Sequence, residues 1–181
     1  TQQLLAFAGE SRRELTPVPL SPLVRETIEL LRSSIPRNVA IELRLGEGLP
    51  DVMADATQLR QVVMNLVING AHAMTKGGGK VVVVTKLLDV PVEEFSWGGD
   101  TEQLAQESYV SLEVIDAGDG MTEEVKNRMF EPFFTTKVDG RGLGLAALLG
   151  IIKTHNGVIR VSSAPGEGTE VLVVLPTDEP K

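Results

Sequence analysis

The stretch Val62-Val-Met-Asn-Leu-Val-Ile-Asn69 places two asparagines, Asn65 and Asn69, four residues apart in an otherwise apolar run. Residues spaced by four share one face of a helix, and residues 55–74 otherwise favour a helix that Asp55 caps. Both carboxamides therefore point the same way on a mostly buried helix. An amide buried without a partner costs about 1–3 kcal/mol, so we expect partners for both, and a bound ligand is one candidate.

The composition is that of an acidic chain of 181 residues without cysteine, with a net charge of −8 and a pI near 4.8. This length suits one domain, and the acidic balance argues against nucleic acid as the main partner. Without cysteine there is neither a disulfide framework nor a cysteine-based zinc site. No apolar run approaches the ~18 residues of a membrane span, so we expect a cytoplasmic fragment that does not insert into a membrane.

Cap and turn residues divide the chain into short elements. We expect the end of a helix over residues 1–14, without an initiating Met, and then an extended, proline-rich joint over residues 16–22. The predicted helices follow caps at Ser21, Asp55 and Thr122 or cover residues 145–155. The predicted strands cover residues 39–45, 81–88, 109–116, 158–163 and 169–175, with a polar loop at 91–107. Hairpins in place of regular βαβ units favour an α/β (α+β) two-layer sandwich with a mixed sheet.

Three further clusters follow the asparagines. They are Asp116-Ala-Gly-Asp-Gly-Met121 at a strand end, Phe130-Glu-Pro-Phe-Phe-Thr-Thr-Lys137, and Gly140-Arg-Gly-Leu-Gly-Leu145 before a helix. Taken alone, the first is more typical of a hairpin turn, the second of a loop anchored by aromatic residues, and the third is weak support for phosphate binding at a helix N-terminus.

Two glycine-rich segments do not match the well-known nucleotide-binding motifs that they resemble at first sight. Gly77-Gly-Gly-Lys80 fails as a P-loop because Met74 occupies the first glycine position and Val81 follows the lysine. The glycine run at 140–144 fails as a Rossmann fingerprint because Leu145 holds the required third glycine position.

The clusters are far more specific together than singly. Asn65-x3-Asn69, Asp116-x-Gly-x-Gly120, Phe130-Glu-Pro-Phe-Phe134, Gly140-Arg-Gly-Leu-Gly144 and Gly168-Thr169 resemble, in this order, the N, G1, F and G2 boxes and the following Gly-Thr of the histidine kinase catalytic domain. This domain belongs to the Bergerat-fold (GHKL) superfamily with gyrase, Hsp90 and MutL. The resemblance implies a mixed, mostly antiparallel sheet packed under three main helices. It also implies a division into a helical dimerisation-domain tail and joint (1–17), the catalytic ATP-binding domain (18–176) and a linker stub (177–181).

The resemblance also implies roles for individual residues. Asn69 would be the direct Mg²⁺ ligand with Asn65 beside it, Asp116 would accept a hydrogen bond from the adenine amine, and Thr169 would support the base through water. Residues 135–144 would form a mobile lid over the triphosphate. The expected catalytic residues are Asn65, Asn69 and Lys137. The residues expected to bind ATP and Mg²⁺ are Asn65, Asn69, His72, Ala73, Asp116, Gly118, Gly120, Met121, Phe134, Thr136, Lys137, Arg141, Gly142, Leu143, Gly144, Leu145 and Thr169.

The two histidines complete the functional expectation. His72 stands where relatives often carry Lys or Arg, and it is expected to be a surface residue or a weak phosphate contact. His155 ends a helix, where it would supply a favourable charge or cap. Because neither fits a phosphoacceptor, we expect the fragment to bind Mg-ATP without phosphorylating itself. The acceptor would be a histidine on its own helical dimerisation domain, in a parent homodimer that serves a response regulator receiver.

Three alternatives to the histidine kinase remain open. One is an ATP-hydrolysing clamp, although those relatives carry Glu, which can activate water, at the position of Asn65. The others are an inactive nucleotide-binding sensor or dimerisation module and a serine kinase of the anti-sigma-factor type.

Overall fold

A five-stranded sheet, covered on one face by helices, forms the centre of the computed structural model, which describes residues 15–88, 108–134 and 144–178. The strands are β1 (Thr16–Val18), β2 (Val39–Leu45), β3 (Val52–Ala54), β4 (Gly79–Leu88), β5 (Tyr109–Asp116), β6 (Val158–Ser163) and β7 (Thr169–Pro176). The helices are α1 (Leu20–Leu31), α2 (Ala56–His72), α3 (Glu123–Arg128) and α4 (Gly144–Thr154), with a 3₁₀ turn at Arg32–Ser34. None of the helices in these described ranges has both the length and the apolarity to cross a bilayer.

The strand order of the main sheet is β2-β4-β5-β7-β6. Strands β2 and β4 run parallel, whereas the β4–β5, β5–β7 and β6–β7 pairs are antiparallel. A separate pair, β1 with β3, forms a small antiparallel sheet. The predicted two-layer sandwich with a mixed, mostly antiparallel sheet is therefore confirmed.

The core lies between the sheet and the helices α1, α2 and α4. Alternation along the central strands turns one set of β-branched and leucine side chains toward the helices, as the period of two in a strand requires. The buried strand residues of this set are Val81, Val83, Val110, Leu112, Val114, Val171, Val173 and Leu175. The helical residues that meet them include Val24, Ile28, Leu59, Val62, Val63, Leu66, Val67, Leu148 and Ile152. Helix α2 packs against α1, α4 and the sheet, so its position fixes the site that lies along it.

Helix α2 follows the prediction at its start and departs from it at its end. The Asp55 carboxylate accepts hydrogen bonds from the amides of Thr57 and Gln58 at 2.8 and 3.2 Å, which confirms the predicted cap. The helix was expected to cover residues 55–74, but it ends at His72 with Ala73 as C-cap. The carbonyl of Ala73 accepts instead from the amide of Asp119, at 3.1 Å, in the segment after β5.

The prediction that Ser21 caps α1 is wrong. The helix begins two residues earlier, at Leu20, with Pro19 as an N-cap that supplies no side-chain hydrogen bond. The Ser21 hydroxyl donates instead to the carbonyl of Gly46 at 2.8 Å and lies 2.7 Å from the Thr85 hydroxyl. The Ser21 hydroxyl, which the local sequence assigns to the helix cap, therefore bonds to residues that are distant in sequence.

Strand β3 pairs with the first described strand and with the residue that follows the last one. Strand β1, inside the predicted extended joint, pairs with β3, and Val52 of β3 forms a bridge with Thr177. Thr177 is buried and its hydroxyl donates to the carbonyl of Ser108 at 3.2 Å. The packed unit therefore includes Thr177, which the sequence places in a linker stub. The helix expected over residues 1–14 and the loop expected over residues 91–107 both lie outside the described residues.

Candidate functional site

Several of the sequence clusters meet around a cavity of about 360 Å³ between α2 and one end of the sheet. The helix α2, the end of β5, the first residues of α4 and the start of β7 all contribute to its wall. The lining residues are Leu66, Asn69, Gly70, His72, Ala73, Thr75, Val114, Asp116, Asp119, Gly120, Met121, Met129, Leu145, Thr169 and Val171. An amide on a helix and a carboxylate at a strand end, 47 positions apart in the chain numbering (Asn69 and Asp116), therefore face one space.

The Asp116 carboxylate is the charged centre of this cavity. It ends β5 on the face that packs against the helices and is 8% exposed. Burial raises the pKa of Asp116, while hydrogen bonds from the amides of Gly118 and Thr169 oppose that shift. The Gly118 amide lies 2.8 Å from the carboxylate. Gly70 of α2 carries no side chain here, and a Cβ at that position would lie 3.4 Å from the carboxylate, so the helix comes close to it.

The segment after Asp116 is held by backbone contacts from two sides. The carbonyl of Asp119 accepts from the Gly166 amide at 2.7 Å, and its carboxylate accepts from the Thr75 hydroxyl. A Cβ on Gly118 would lie 2.6 Å from the Ala73 carbonyl oxygen. A Cβ on Gly120, whose φ is +68°, would overlap the carbonyl of Ala164. The two glycines were expected to bind ATP, and their close neighbours in the structure are the backbone atoms of Ala73 and Ala164.

Ser163 connects this segment to the start of β7. Its hydroxyl accepts from the Met121 amide at 2.9 Å, donates to the Gly168 carbonyl at 2.8 Å, and lies 2.9 Å from the Thr169 hydroxyl. The sequence analysis did not include Ser163 among the site residues. One available signal was its position in β6, because Ile159, Val161 and Ser163 share the inward face, where a polar side chain needs a partner.

The two asparagines of α2 lie on the helix that forms one wall of the cavity. Asn69 lines it, and Asn65 lies one turn earlier on the same face. The Asn65 amide nitrogen donates to the carbonyl of Gly144 at 3.4 Å, across the beginning of α4. Helix α4 also brings Leu145 to the cavity wall. The asparagines therefore mark the place where α2 meets the start of α4.

His155 joins the opposite ends of these two helices. It is 1% exposed, its Nε2 accepts from the Asp55 amide at 3.0 Å, and its Nδ1 lies 2.7 Å from the Ile151 carbonyl. Nε2 must accept from an N–H and Nδ1 must donate to a carbonyl, so the ring is the neutral Nδ1–H tautomer. Of the two roles expected for His155, a favourable charge or a cap, the charge is wrong, whereas the Nδ1–H bond to the Ile151 carbonyl fits a cap near the end of α4. Through Nε2 the ring also forms a buried link to the N-cap of α2.

The remaining predicted site residues lie outside the cavity lining, at the rim of the cavity, or outside the described residues. Phe134 lies outside the cavity lining, with the Arg128 guanidinium 4.5 Å from its ring centre, and its neighbour Phe133 is 75% exposed with a φ of 67°. His72 is exposed at the rim of the cavity. The predicted residues Thr136, Lys137, Arg141, Gly142 and Leu143 lie outside the described residues.

Comparison with known proteins identifies similar domains. The family model described as "Histidine kinase-, DNA gyrase B-, and HSP90-like ATPase" matches residues 54–179. The chain is 33% identical to the sensor kinase CckA of Brucella abortus, over 97% of this chain and 18% of that protein. It is 35% identical to the signal transduction histidine-protein kinase AtoS of Escherichia coli, over 97% of this chain and 26% of that protein. The chain therefore spans about a quarter or less of the length of these curated relatives.

A solved structure has a similar fold. The catalytic domain of the histidine kinase ThkA matches with a TM-score of 0.70 and 29% identity, over 91% of this chain and 96% of that domain.

Proposed function

Because the chain belongs to the histidine kinase-, DNA gyrase B-, and HSP90-like ATPase family, we propose that its cavity binds Mg-ATP and that the domain donates the γ-phosphate to a histidine of a separate helical domain. The observation that supports this most is that Asp116 and Asn69 line the same cavity. A carboxylate suits the amino group of a base, and a carboxamide oxygen suits Mg²⁺.

The Asp116 end of the cavity would select the base. An ionised carboxylate is an acceptor only, and it can take a hydrogen bond from the exocyclic amine of adenine. Guanine carries an acceptor oxygen at the same position, so guanine would leave a buried carboxylate unsatisfied. The amides of Gly118 and Thr169 hold the carboxylate in place, which reduces the ordering cost of binding.

The asparagine end would hold the metal and the phosphates. The Asn69 side chain offers a neutral oxygen, which suits an ion whose charge ATP already balances. Mg²⁺ held there would neutralise charge that develops on the phosphates during phosphoryl transfer. Lys137 and Arg141 are proposed to contact the phosphates from the lid, and His72 is exposed where a weak contact is feasible.

Asn65 favours transfer to an acceptor outside this domain over hydrolysis. A carboxamide cannot act as a general base, so this side chain cannot activate a water molecule for attack on the γ-phosphate. A neutral imidazole needs no such base, and correct positioning supplies most of the rate. Asn65, through its contact with Gly144, is instead placed to orient the start of α4.

The proposed partners follow from the relatives. Two are named as a sensor kinase and a signal transduction histidine-protein kinase, and this chain matches a minor part of each. We therefore place the phosphoacceptor on a helical dimerisation domain of a homodimeric parent protein, with a response regulator receiver as the next acceptor. We also propose that this domain of the parent protein lies in the cytoplasm, where ATP is available.

A thermal shift experiment tests the nucleotide site. With ligand near 100 times Kd, Mg-ATP should stabilise the protein by about 2.7 kcal/mol, whereas Mg-GTP should not. Asp116→Asn and Asn69→Ala, each expected to weaken binding by about tenfold or more, should reduce the stabilisation to about 1.4 kcal/mol or less at the same ligand concentration. Matched controls are Asp178→Asn and Asn127→Ala, both at exposed positions, which should keep the full stabilisation. Equal shifts with Mg-ATP and Mg-GTP would contradict the role of Asp116.

Phosphate transfer is tested by adding the parent's helical domain to this domain with labelled Mg-ATP. The proposal predicts phosphohistidine on the helical domain and none on His72 or His155. Nucleotide binding without transfer would favour a sensor module, and steady ATP turnover lost in Asn65→Ala would favour a hydrolase.

A further inference from the structure

The hydroxyl of Ser163 is shared among three neighbours but carries one proton. The Met121 amide, at 2.9 Å, can only donate to it, and the Gly168 carbonyl, at 2.8 Å, can only accept from it. The Ser163 proton is therefore used by Gly168. The third neighbour, the Thr169 hydroxyl at 2.9 Å, is left with one possible role, because it must donate its own proton to Ser163.

Thr169 thereby loses the ambiguity that a free hydroxyl has. A threonine hydroxyl normally rotates to donate or to accept as its neighbours require. Here its proton points to Ser163. Toward the cavity, which Thr169 lines, the hydroxyl oxygen can therefore only accept a hydrogen bond. Thr169 also pairs with Asp116 across the β5–β7 ladder, and the carboxylate there accepts as well. The base end of the cavity thus presents two acceptors side by side.

We propose that Ser163 is a specificity-determining positioning residue, which fixes the Thr169 hydroxyl as an acceptor and so selects an amino group over an oxo group at position 6 of a bound purine. This inference rests on the proposed function, because it assumes that the cavity binds a purine nucleotide. An amino group, or a water molecule that donates to Thr169, satisfies both acceptors. An oxo group satisfies neither, unless Thr169 is free to turn its proton toward it.

A purely structural role for Ser163 has a different consequence. Ser163 also holds the Met121 amide and the Gly168 carbonyl, so its loss could loosen the site for every nucleotide. Loosening weakens all ligands in proportion and leaves their ratio unchanged. Release of the Thr169 proton changes the ratio between amino and oxo purines, because the freed hydroxyl can then donate. The ratio of affinities is therefore the informative quantity.

The test compares the affinities of ATP and ITP, whose bases carry an amino and an oxo group at position 6 and differ also in the proton at N1, by calorimetry with Mg²⁺ present. Wild type should prefer ATP by about 100-fold, and Ser163→Ala should narrow that preference by about 10-fold, the size of one hydrogen bond to a buried acceptor. Ser162→Ala is the matched control, since Ser162 is the exposed neighbour on the other face of β6, and it should leave the preference unchanged.

Thr169→Val provides the second half of the test. Without a hydroxyl at position 169, adding Ser163→Ala should leave the ATP-to-ITP ratio unchanged. If Ser163→Ala does not fold, Ser163→Cys keeps the side-chain volume with a weak donor and should narrow the ratio in the same direction. An unchanged ratio in a folded Ser163 variant, or a change that persists in Thr169→Val, overturns this inference alone. Failure of wild type to bind either nucleotide overturns the proposed function together with it.

Discussion

The two ends of the cavity are organised differently. At the base end, comprising Asp116, Gly118, Ser163 and Thr169, polar groups from β5, β6 and β7 join one another at 2.8–2.9 Å. At the amide end, comprising Asn65, Asn69 and Gly144, the Asn65 contact with Gly144 is 3.4 Å long. The base end is thus preorganised by the fold, and preorganisation reduces the cost of binding. At the amide end, this longer contact joins α2 to the start of α4.

Close backbone packing at the base end gives the largest predicted effect. Gly120→Ala should lower the free energy of unfolding by about 3 kcal/mol or more, because a Cβ there meets the Ala164 carbonyl and the φ of +68° disfavours a side chain. Gly166→Ala is the control, since its φ is +79° but its Cβ would lie in open space, and it should cost about 1 kcal/mol. Urea unfolding measures both, and equal losses would mean that packing against Ala164 is unimportant.

The link between α2 and α4 ranks second. His155→Ala should lower the free energy of unfolding by about 2–3 kcal/mol, because it removes a fully buried ring and leaves the Asp55 amide without its partner. The Ile151 carbonyl keeps the Thr154 hydroxyl and the amide of residue 155 as donors. The control His72→Ala, on an exposed side chain, should change it by no more than about 0.5 kcal/mol. The idea that His155 fixes the two helices fails if both variants unfold at the same urea concentration.

Substitutions at the two ends are expected to change different quantities, ATP affinity at Asp116 and little of the stability at Asn65. Asp116→Asn should weaken ATP binding by about 10- to 100-fold, the size of a hydrogen bond to a charged group. Asn65→Ala should change the stability of the nucleotide-free protein by less than about 0.5 kcal/mol, because its contact with Gly144 is long. Calorimetry and urea unfolding measure these effects. A large loss of stability in Asn65→Ala would show that the amide end is preorganised too, and would remove the contrast.

The pH dependence of Asp116 is the smallest predicted effect. Burial, opposed by backbone hydrogen bonds, raises the native pKa of this carboxyl above its unfolded value. The native state therefore holds the proton more tightly, and this contribution to stability is full below the unfolded pKa and lost as pH rises through the native pKa. The stability of nucleotide-free wild type, relative to Asp116→Asn, should fall as pH rises from about 4 toward neutrality.

ATP affinity should change in the opposite direction over that range. Binding needs the ionised carboxylate as acceptor, so affinity should increase as pH rises through the native pKa of Asp116. Parallel unfolding and binding measurements across the range test both signs. A stability difference from Asp116→Asn that is independent of pH would contradict the raised pKa.

Local spacing made part of the site predictable. The shared face of Asn65 and Asn69 follows from helix periodicity, and the caps at Asp55 and Thr122 follow from side chains that reach amides two or three residues away. Alternating β-branched residues likewise located the strands of the main sheet. The order of the clusters added the family. The mixed sheet, already expected from the hairpins, is confirmed by the strand pairings.

Non-local contacts account for what the sequence did not reveal. Ser163 acts through the β6–β7 register and the segment after β5, and neither is visible in the residues around it. The Ser21 cap was misassigned because its hydroxyl bonds to residues distant in sequence, and the link from His155 to the start of α2 was missed for the same reason. Short elements such as β3, with three residues, carry too little pattern to be recognised.

Binding of adenosine compared with Mg-ATP tests most directly whether one nucleotide spans both ends. The account predicts that Asp116→Asn weakens both ligands, because each contains the base. Asn69→Ala should weaken Mg-ATP by about tenfold or more and leave adenosine unchanged, because adenosine has neither phosphate nor metal. Equal weakening of adenosine by Asn69→Ala, or undiminished Mg-ATP binding in Asp116→Asn, would contradict the claim that the two side chains bind opposite ends of one ATP molecule.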